Sequence, residues 1–195
     1  MNLKQSYIEL IKRILKNNNL VENYLENMGE QIVFSFDNID ELANFNQFKD
    51  DLVEMKKVFF SSQENKFGHS YGASIMTPIA EEKDPIKSIT KKLAGNLETR
   101  NAVLTFVPYG KDKIPCISTI QFLVRNNILN IFYTARSQDI FKKFPLDAMC
   151  IASMGIEVAN NLNLKLGYIK ANIISTHIYQ TDIENAKKFI KENEK

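Results

Sequence analysis

Residues 146–162, Leu-Asp-Ala-Met-Cys-Ile-Ala-Ser-Met-Gly-Ile-Glu-Val-Ala-Asn-Asn-Leu, constrain this chain more than any other stretch. They read as a helix that is apolar almost all round, opened by Pro145. Such a helix has to be central, covered by other elements. No apolar run in the chain reaches the length that a membrane crossing needs. The cover comes from segments rich in Ile, Val, Phe and Thr. Residues 102–107, 117–124, 128–135 and 166–177 read as strands, and 31–36 as a further strand closed by Asp37-Asn38. Asn126-Asn127 stands between two of them, a two-residue hairpin signal because Asn tolerates positive φ. A buried helix among strands makes this an α+β chain.

Helices complete the pattern. Leu3, Tyr7, Leu10, Ile11, Ile14 and Leu15 recur at helical spacing, so 3–16 is an amphipathic helix that Asn17-Asn18-Asn19 ends. Residues 48–60 suggest a second helix, and 61–74, with Gly68 and Gly72, a loop. Asp84-Pro85 opens a third that runs to about Ala94. Thr181-Asp182-Ile183-Glu184 has the form of a capping box for the last. With 195 residues and no repeat or linker, 1–195 reads as a single domain.

Charge and cysteine content exclude several function classes. The 25 basic and 23 acidic side chains leave +2, too little for a protein that coats nucleic acid. Of the 25 basic residues only Arg13, Arg100, Arg125 and Arg136 are arginines in this Lys- and Asn-rich chain, so a surviving arginine is a candidate bidentate anion fork; Arg13 and Arg125 keep an ordinary surface reading. Cys116 and Cys150 form no Cys-x-x-Cys pair, and His69 and His177 lie far apart, so no metal site is expected. The N-terminus lacks an apolar signal core, which makes a reducing cytoplasm the expected address.

The chemistry concentrates between 115 and 147. Pro115-Cys116 sits at the mouth of a strand, and Arg136-Ser137-x-Asp139 closes the next. A hairpin between those strands brings a thiol beside a guanidinium, an arrangement that lowers a thiol pKa and binds an anion. A lone Cys at a strand start is also a common core residue, and both readings stand on spacing alone.

The order Pro115-Cys116, Gln121-Phe122, Arg136-Ser137-x-Asp139, Pro145 and His177-x-Tyr179 resembles the thymidylate synthase family, with Tyr71-Gly72 and Thr99-Arg100-Asn101 in register upstream. The resemblance covers residues 84–182 and extends to 3–75. It implies a mostly antiparallel sheet packed with helices, one of them long and buried. It also implies a homodimer acting on a pyrimidine nucleoside monophosphate with 5,10-methylenetetrahydrofolate. Cys116 then resembles the nucleophile that adds to pyrimidine C6, which makes C5 able to accept a one-carbon unit. Arg136 and Ser137 would hold the phosphate, and Arg100 would reach a phosphate in the neighbouring subunit. His177 and Tyr179 would bind the sugar 3′-hydroxyl, their spacing placing them on one sheet face. Gln121 would fasten the pyrimidine side, Asp139 the same side or the folate. Glu54 resembles the glutamate that organises water, although surface Glu residues on helices are common.

The departures sharpen the expectation. Where thymidylate synthases place the Asn that reads uracil, this chain has Asp147. A carboxyl group accepts from the exocyclic amine of cytosine and, when protonated, donates to its N3. The same change marks the cytidylate hydroxymethylases of this family. Asp147 can equally be the first-turn acid of the buried helix. The second family arginine is Asn101, the Gly before Pro145 is Lys143, and the residue after Cys116 is Ile117 rather than His. There is no Trp, and the segment beyond Tyr179 lacks the family's apolar closing tail. The expected activity is therefore a CMP or dCMP 5-hydroxymethyltransferase. Methylation of dUMP and a non-catalytic nucleotide-binding homologue are the alternatives.

Overall fold

The computed structural model of the chain describes residues 1–36, 49–60, 71–74, 84–106 and 114–193. Helix α1 (Leu3–Asn17) starts at a capping box in which Asn2 Oδ1 accepts from the Gln5 backbone N–H. It stops where Asn18 turns left-handed at φ 48. Strands β1 (Leu20–Val21) and β2 (Tyr24–Ser35) follow, then α2 (Lys49–Phe60) and the short α3 (Tyr71–Ser74). Helix α4 (Pro85–Gly95) begins as expected: Asp84 caps it and Pro85 fills a first-turn position whose missing N–H costs little.

The second half builds the sheet from β3 (Val103–Thr105), β4 (Ile117–Arg125), β5 (Ile128–Asp139) and β6 (Lys165–Tyr179). Asn126 and Asn127 both have positive φ, 53 and 58, and make the tight β4–β5 turn. Helix α5 (Phe144–Asn161) connects β5 to β6, and α6 (Ile183–Asn193) ends the described chain. The strand order is β1-β2-β6-β5-β4-β3, with every pair antiparallel except β5 and β6. That one parallel pair follows from α5, because a crossover helix returns the chain to run in the same direction. Residues 144–152 of α5 are all buried, as their composition required. Gly155 lets the helix lie close on the sheet: a Cβ there would sit 2.4 Å from Ile131 Cδ1.

Several boundaries differ from the sequence reading. Strand β2 begins at Tyr24 rather than at 31, since its polar first half is held by backbone pairing with β6. Strand β5 continues through Arg136, Ser137 and Asp139. Tyr71–Ser74 is helical where a loop was expected, while 61–70 lie outside the described residues. The Thr181 capping box does not form. The chain enters α6 through a 3-10 turn at Gln180–Asp182, where buried Asp182 pairs with Lys142 at 2.8 Å, and Glu184 turns to Lys187.

One feature of the sheet positions the site. Burial alternates along β5 through Leu129, Ile131, Tyr133 and Ala135, then resumes at Gln138 in the opposite phase. On β6 it runs through Ile169, Ala171 and Ile173 and resumes at Thr176 and Ile178. On β2, Leu25 and Asn27 are buried, then Ile32 and Phe34. The change falls at Arg136, Ile174 and Gly29, which adjoin across the three strands, and Gly29 has φ 75 there. Beyond this line the strands present a second set of side chains to the interior.

Candidate active site

A cavity of about 330 Å³ opens at that line. Its rim is made by the β4–β5 hairpin. The Arg136 backbone N–H donates to the Cys116 carbonyl at 2.8 Å, so the two residues stand opposite each other, as the hairpin spacing predicted. The Arg136 guanidinium donates through Nε to Pro115 O (3.2 Å) and through Nη2 to Ile114 O (2.8 Å). Nη2 also lies 3.9 Å from Cys116 Sγ. Arg136 therefore holds the Cys116 segment in place. Its charge does not produce the lowered thiol pKa that the sequence suggested. Burial of Cys116 pushes its pKa up, and this outweighs the opposing effect of Arg136.

Further along β5 and β6, Ser137 Oγ is 3.3 Å from His177 Nδ1. The His177 ring packs against Tyr24 and Tyr179, with centroids at 5.3 Å and 5.1 Å. Burial lowers the His177 pKa, against the pull of Asp139 and Glu26, and so favours the neutral imidazole. Asp139 Oδ1 accepts from the Lys142 backbone N–H, and burial raises the Asp139 pKa.

The floor belongs to the first turn of α5. Asp147 is 3% exposed, and its carboxyl pKa is pushed to about 7 by burial. A hydrogen bond from Gln138 and the charge of Lys143 pull the other way. Gln138 Nε2 donates to Asp147 Oδ2 at 2.6 Å. Asp147 Oδ1, Gln138 Oε1 and the Tyr133 hydroxyl are buried without a hydrogen-bond partner. Met55 from α2 and Tyr71 from α3 also line the cavity, as does Lys143 at the entry to α5.

Comparison with known proteins gives this arrangement a family. The family model for thymidylate synthase matches residues 36–195. The chain belongs to the thymidylate synthase family. A protein of Methanocaldococcus jannaschii, provisionally named a thymidylate synthase, is 27% identical over 98% of this chain and 94% of its own length. One of Methanothermobacter marburgensis, named in the same way, is 27% identical over 72% of this chain and 64% of its own. The thymidylate synthase of Streptococcus pyogenes is 28% identical over 66% of this chain and 48% of its own. Members of this family are one-carbon transferases that act on pyrimidine nucleoside monophosphates with methylenetetrahydrofolate.

Of the residues that the thymidylate synthase resemblance singled out, Cys116, Arg136, Ser137, Asp139, Asp147, His177 and Tyr179 all line the one cavity. The remaining three do not. Gln121 donates through Nε2 to the Arg100 carbonyl at 2.9 Å, and Arg100 itself is exposed. Glu54, next to Met55, pairs with Lys57 on its own helix. Arg13 pairs with Glu30 at 2.6 Å and Arg125 donates to Val124 O, ordinary surface roles for both. Gln138 escaped the sequence reading although it is the unnamed residue of Arg136-Ser137-x-Asp139. A single alternation through Ala135 would have turned it away from the interior. No described helix is long and apolar enough to cross a membrane.

Proposed function

We propose that the protein transfers a hydroxymethyl group to C5 of CMP or dCMP, taking the carbon from 5,10-methylenetetrahydrofolate. The observation that carries this reading is Asp147. It stands where thymidylate synthases have the Asn that reads uracil, is buried in the floor of the cavity, and titrates near neutrality. The protonated carboxyl presents one donor and one acceptor, the complement of cytosine N3 and its exocyclic amine.

The residues divide the work. Arg136 offers its remaining guanidinium N–H groups, and Ser137 its hydroxyl, to the phosphate. His177 and Tyr179 bind the sugar hydroxyl. Cys116 gives up its thiol proton to water, its Sγ electron pair forms the bond to C6, and the C5–C6 π pair moves to C5. Asp139 lines the same cavity, on the pyrimidine side or against the folate, and its raised pKa suits it to hold a proton. The apolar wall of Met55 and Tyr71, with the cation of Lys143 beside it, suits a flat aromatic carrier with an anionic tail. Bound there, the folate supplies a one-carbon unit at the oxidation level of formaldehyde. The carbon would bond to C5 as its bond to the folate nitrogen breaks and tetrahydrofolate leaves. C5 would then give up its hydrogen as a proton, water would add to the transferred carbon, and the Cys116 Sγ–C6 bond would break to restore the ring. Glu54 positions this water once it leaves Lys57. Exposed Arg100 fits a phosphate contact across a homodimer, and Val33, Tyr168 and Ile174 are exposed apolar residues of the sheet suited to that interface.

Release of tritium from C5-labelled CMP, dCMP and dUMP, with and without the folate, tests the reading. Folate-dependent release from the cytidylates supports it; release from dUMP alone sinks it. The names of the relatives favour a second reading, methylation of dUMP, in which the neutral Asp147 donates to uracil O4. Nucleotide binding with no C5 exchange, unchanged in Cys116→Ser, would instead favour a non-catalytic homologue.

A further inference from the structure

Among the described residues, Asp147 Oδ1 and Gln138 Oε1 in the cavity lining, and the Tyr133 hydroxyl behind it, are buried without a hydrogen-bond partner. An unpaired buried acceptor is costly, and native structures leave few of them. Two of these atoms belong to one hydrogen-bonded pair whose other halves, Gln138 Nε2 and Asp147 Oδ2, bind each other. Both residues line the cavity, and Gln138 is 2% exposed. The pair is thus internally locked on one side and unsatisfied on the other, which is the condition of a site awaiting a ligand edge.

We propose that Gln138 is a second base-reading residue: it fixes the Asp147 carboxyl through its amide N–H and adds its own carboxamide oxygen as an acceptor for the exocyclic amine of cytosine. This rests on the cytidylate reading above and deepens it. Cytosine presents an amine with two hydrogens and the acceptor N3. The floor presents Gln138 Oε1, an Asp147 oxygen and one titratable proton, so all three groups of the base find complements. Uracil presents O4, an acceptor, where the amine would be. O4 against Gln138 Oε1 sets acceptor against acceptor, a mismatch that discriminates strongly in a closed pocket. Asp147 alone cannot achieve this, because a protonated carboxyl can also donate to O4. Gln138 removes that escape while its amide N–H stays on Asp147 Oδ2, the orientation that the ionised or shared carboxyl holds.

The proton makes the arrangement pH-dependent. Among the described residues, six titratable groups act on Asp147: Asp139 and Tyr133 from β5, Lys143 just before its helix and Cys150 on it, Tyr71 from α3, and Cys116 just before β4. An ionised Asp147 would repel the N3 lone pair, so dCMP binding weakens as pH rises past about 7. The Gln138 N–H favours the ionised carboxylate, and removing it moves this fall to higher pH.

The test is calorimetric binding of dCMP, dUMP and ribose 5-phosphate on both sides of that pH. It compares the full wild-type chain with Gln138→Met, Gln138→Glu and Asp147→Asn. The expected result for Gln138→Met is about a tenfold loss of the dCMP-over-dUMP preference, with the pH fall shifted upward and ribose 5-phosphate binding unchanged. Gln138→Glu keeps the size and the acceptor but loses the N–H. It should retain the preference at low pH and move the pH fall upward, which covers the case in which the Met variant does not fold. A wild-type preference for dUMP would overturn the cytidylate reading itself. A wild-type preference for dCMP that Asp147→Asn abolishes, while both Gln138 variants leave ratio and pH profile intact, would overturn the role of Gln138 alone.

Discussion

The rim and the floor of the cavity differ in how their polar atoms are satisfied. At the rim, Arg136 is tied to the carbonyls of Ile114 and Pro115, and Ser137 is joined to His177. These groups are in place before any ligand arrives. At the floor, Asp147 and Gln138 each keep a buried polar atom unpaired among the described residues. On the proposed function, the rim is preorganised for what every pyrimidine nucleotide shares, a phosphate, a sugar and an electrophilic C6. The floor, with its unsatisfied groups, would then carry the choice among bases. Reaction and selectivity would be built in different parts of one pocket.

The comparison can be broken most directly at Cys116. Replacing it with Ala should lower turnover by about 10⁴-fold or more while leaving nucleotide binding nearly intact. An equal loss of binding, read by calorimetry, would mean that the rim does not separate chemistry from recognition.

The floor has a signature in stability. Burial holds the Asp147 pKa at about 7, above the unfolded value near 4. Between those values the folded state binds the extra proton, so stability falls as pH rises from about 4 to 7 and is level beyond. The Asp147 contribution to that fall is at most about 4 kcal/mol. Urea denaturation of Asp147→Asn should show a flatter pH dependence, gaining on wild type at high pH. An unchanged slope would place the titration elsewhere.

A smaller effect is expected at Arg136. Arg136→Ala should weaken nucleotide binding about 30-fold, with reduced salt dependence. Dissociation constants at two ionic strengths measure this, and a change in base preference would blur rim into floor. The smallest concerns Glu54, which pairs with Lys57 outside the cavity lining. Glu54→Gln should leave nucleotide affinity within about twofold and lower only turnover, since removing an exposed pair costs at most about 1 kcal/mol.

Much of this was legible from residues alone. The apolar run of α5 required a central helix, Asn126-Asn127 made the β4–β5 turn, and Asp84-Pro85 opened α4. The turn and the strand periods then placed Cys116 across from Arg136, and His177 and Tyr179 beside each other. The failures share a cause. Strand β2 was read as short because its first half is polar, yet pairing with β6 makes it a strand regardless of composition. The lowered thiol pKa expected at Cys116 ignored the desolvation that only packing reveals.

What the chain by itself determined is its inventory and local geometry: a thiol at the mouth of a strand, an arginine across from it, a His-x-Tyr pair on one sheet face, and an Asp in the first turn of a buried helix. Local spacing is enough for these because turns and strand periods act over a few residues. Tertiary structure alone decided which of the candidates share a cavity. The phase change at Gly29, Ile174 and Arg136 spans strands far apart in sequence, and beyond it Gln138 faces the interior against Asp147. No pattern within a single strand encodes that line, because it exists only where three strands lie side by side.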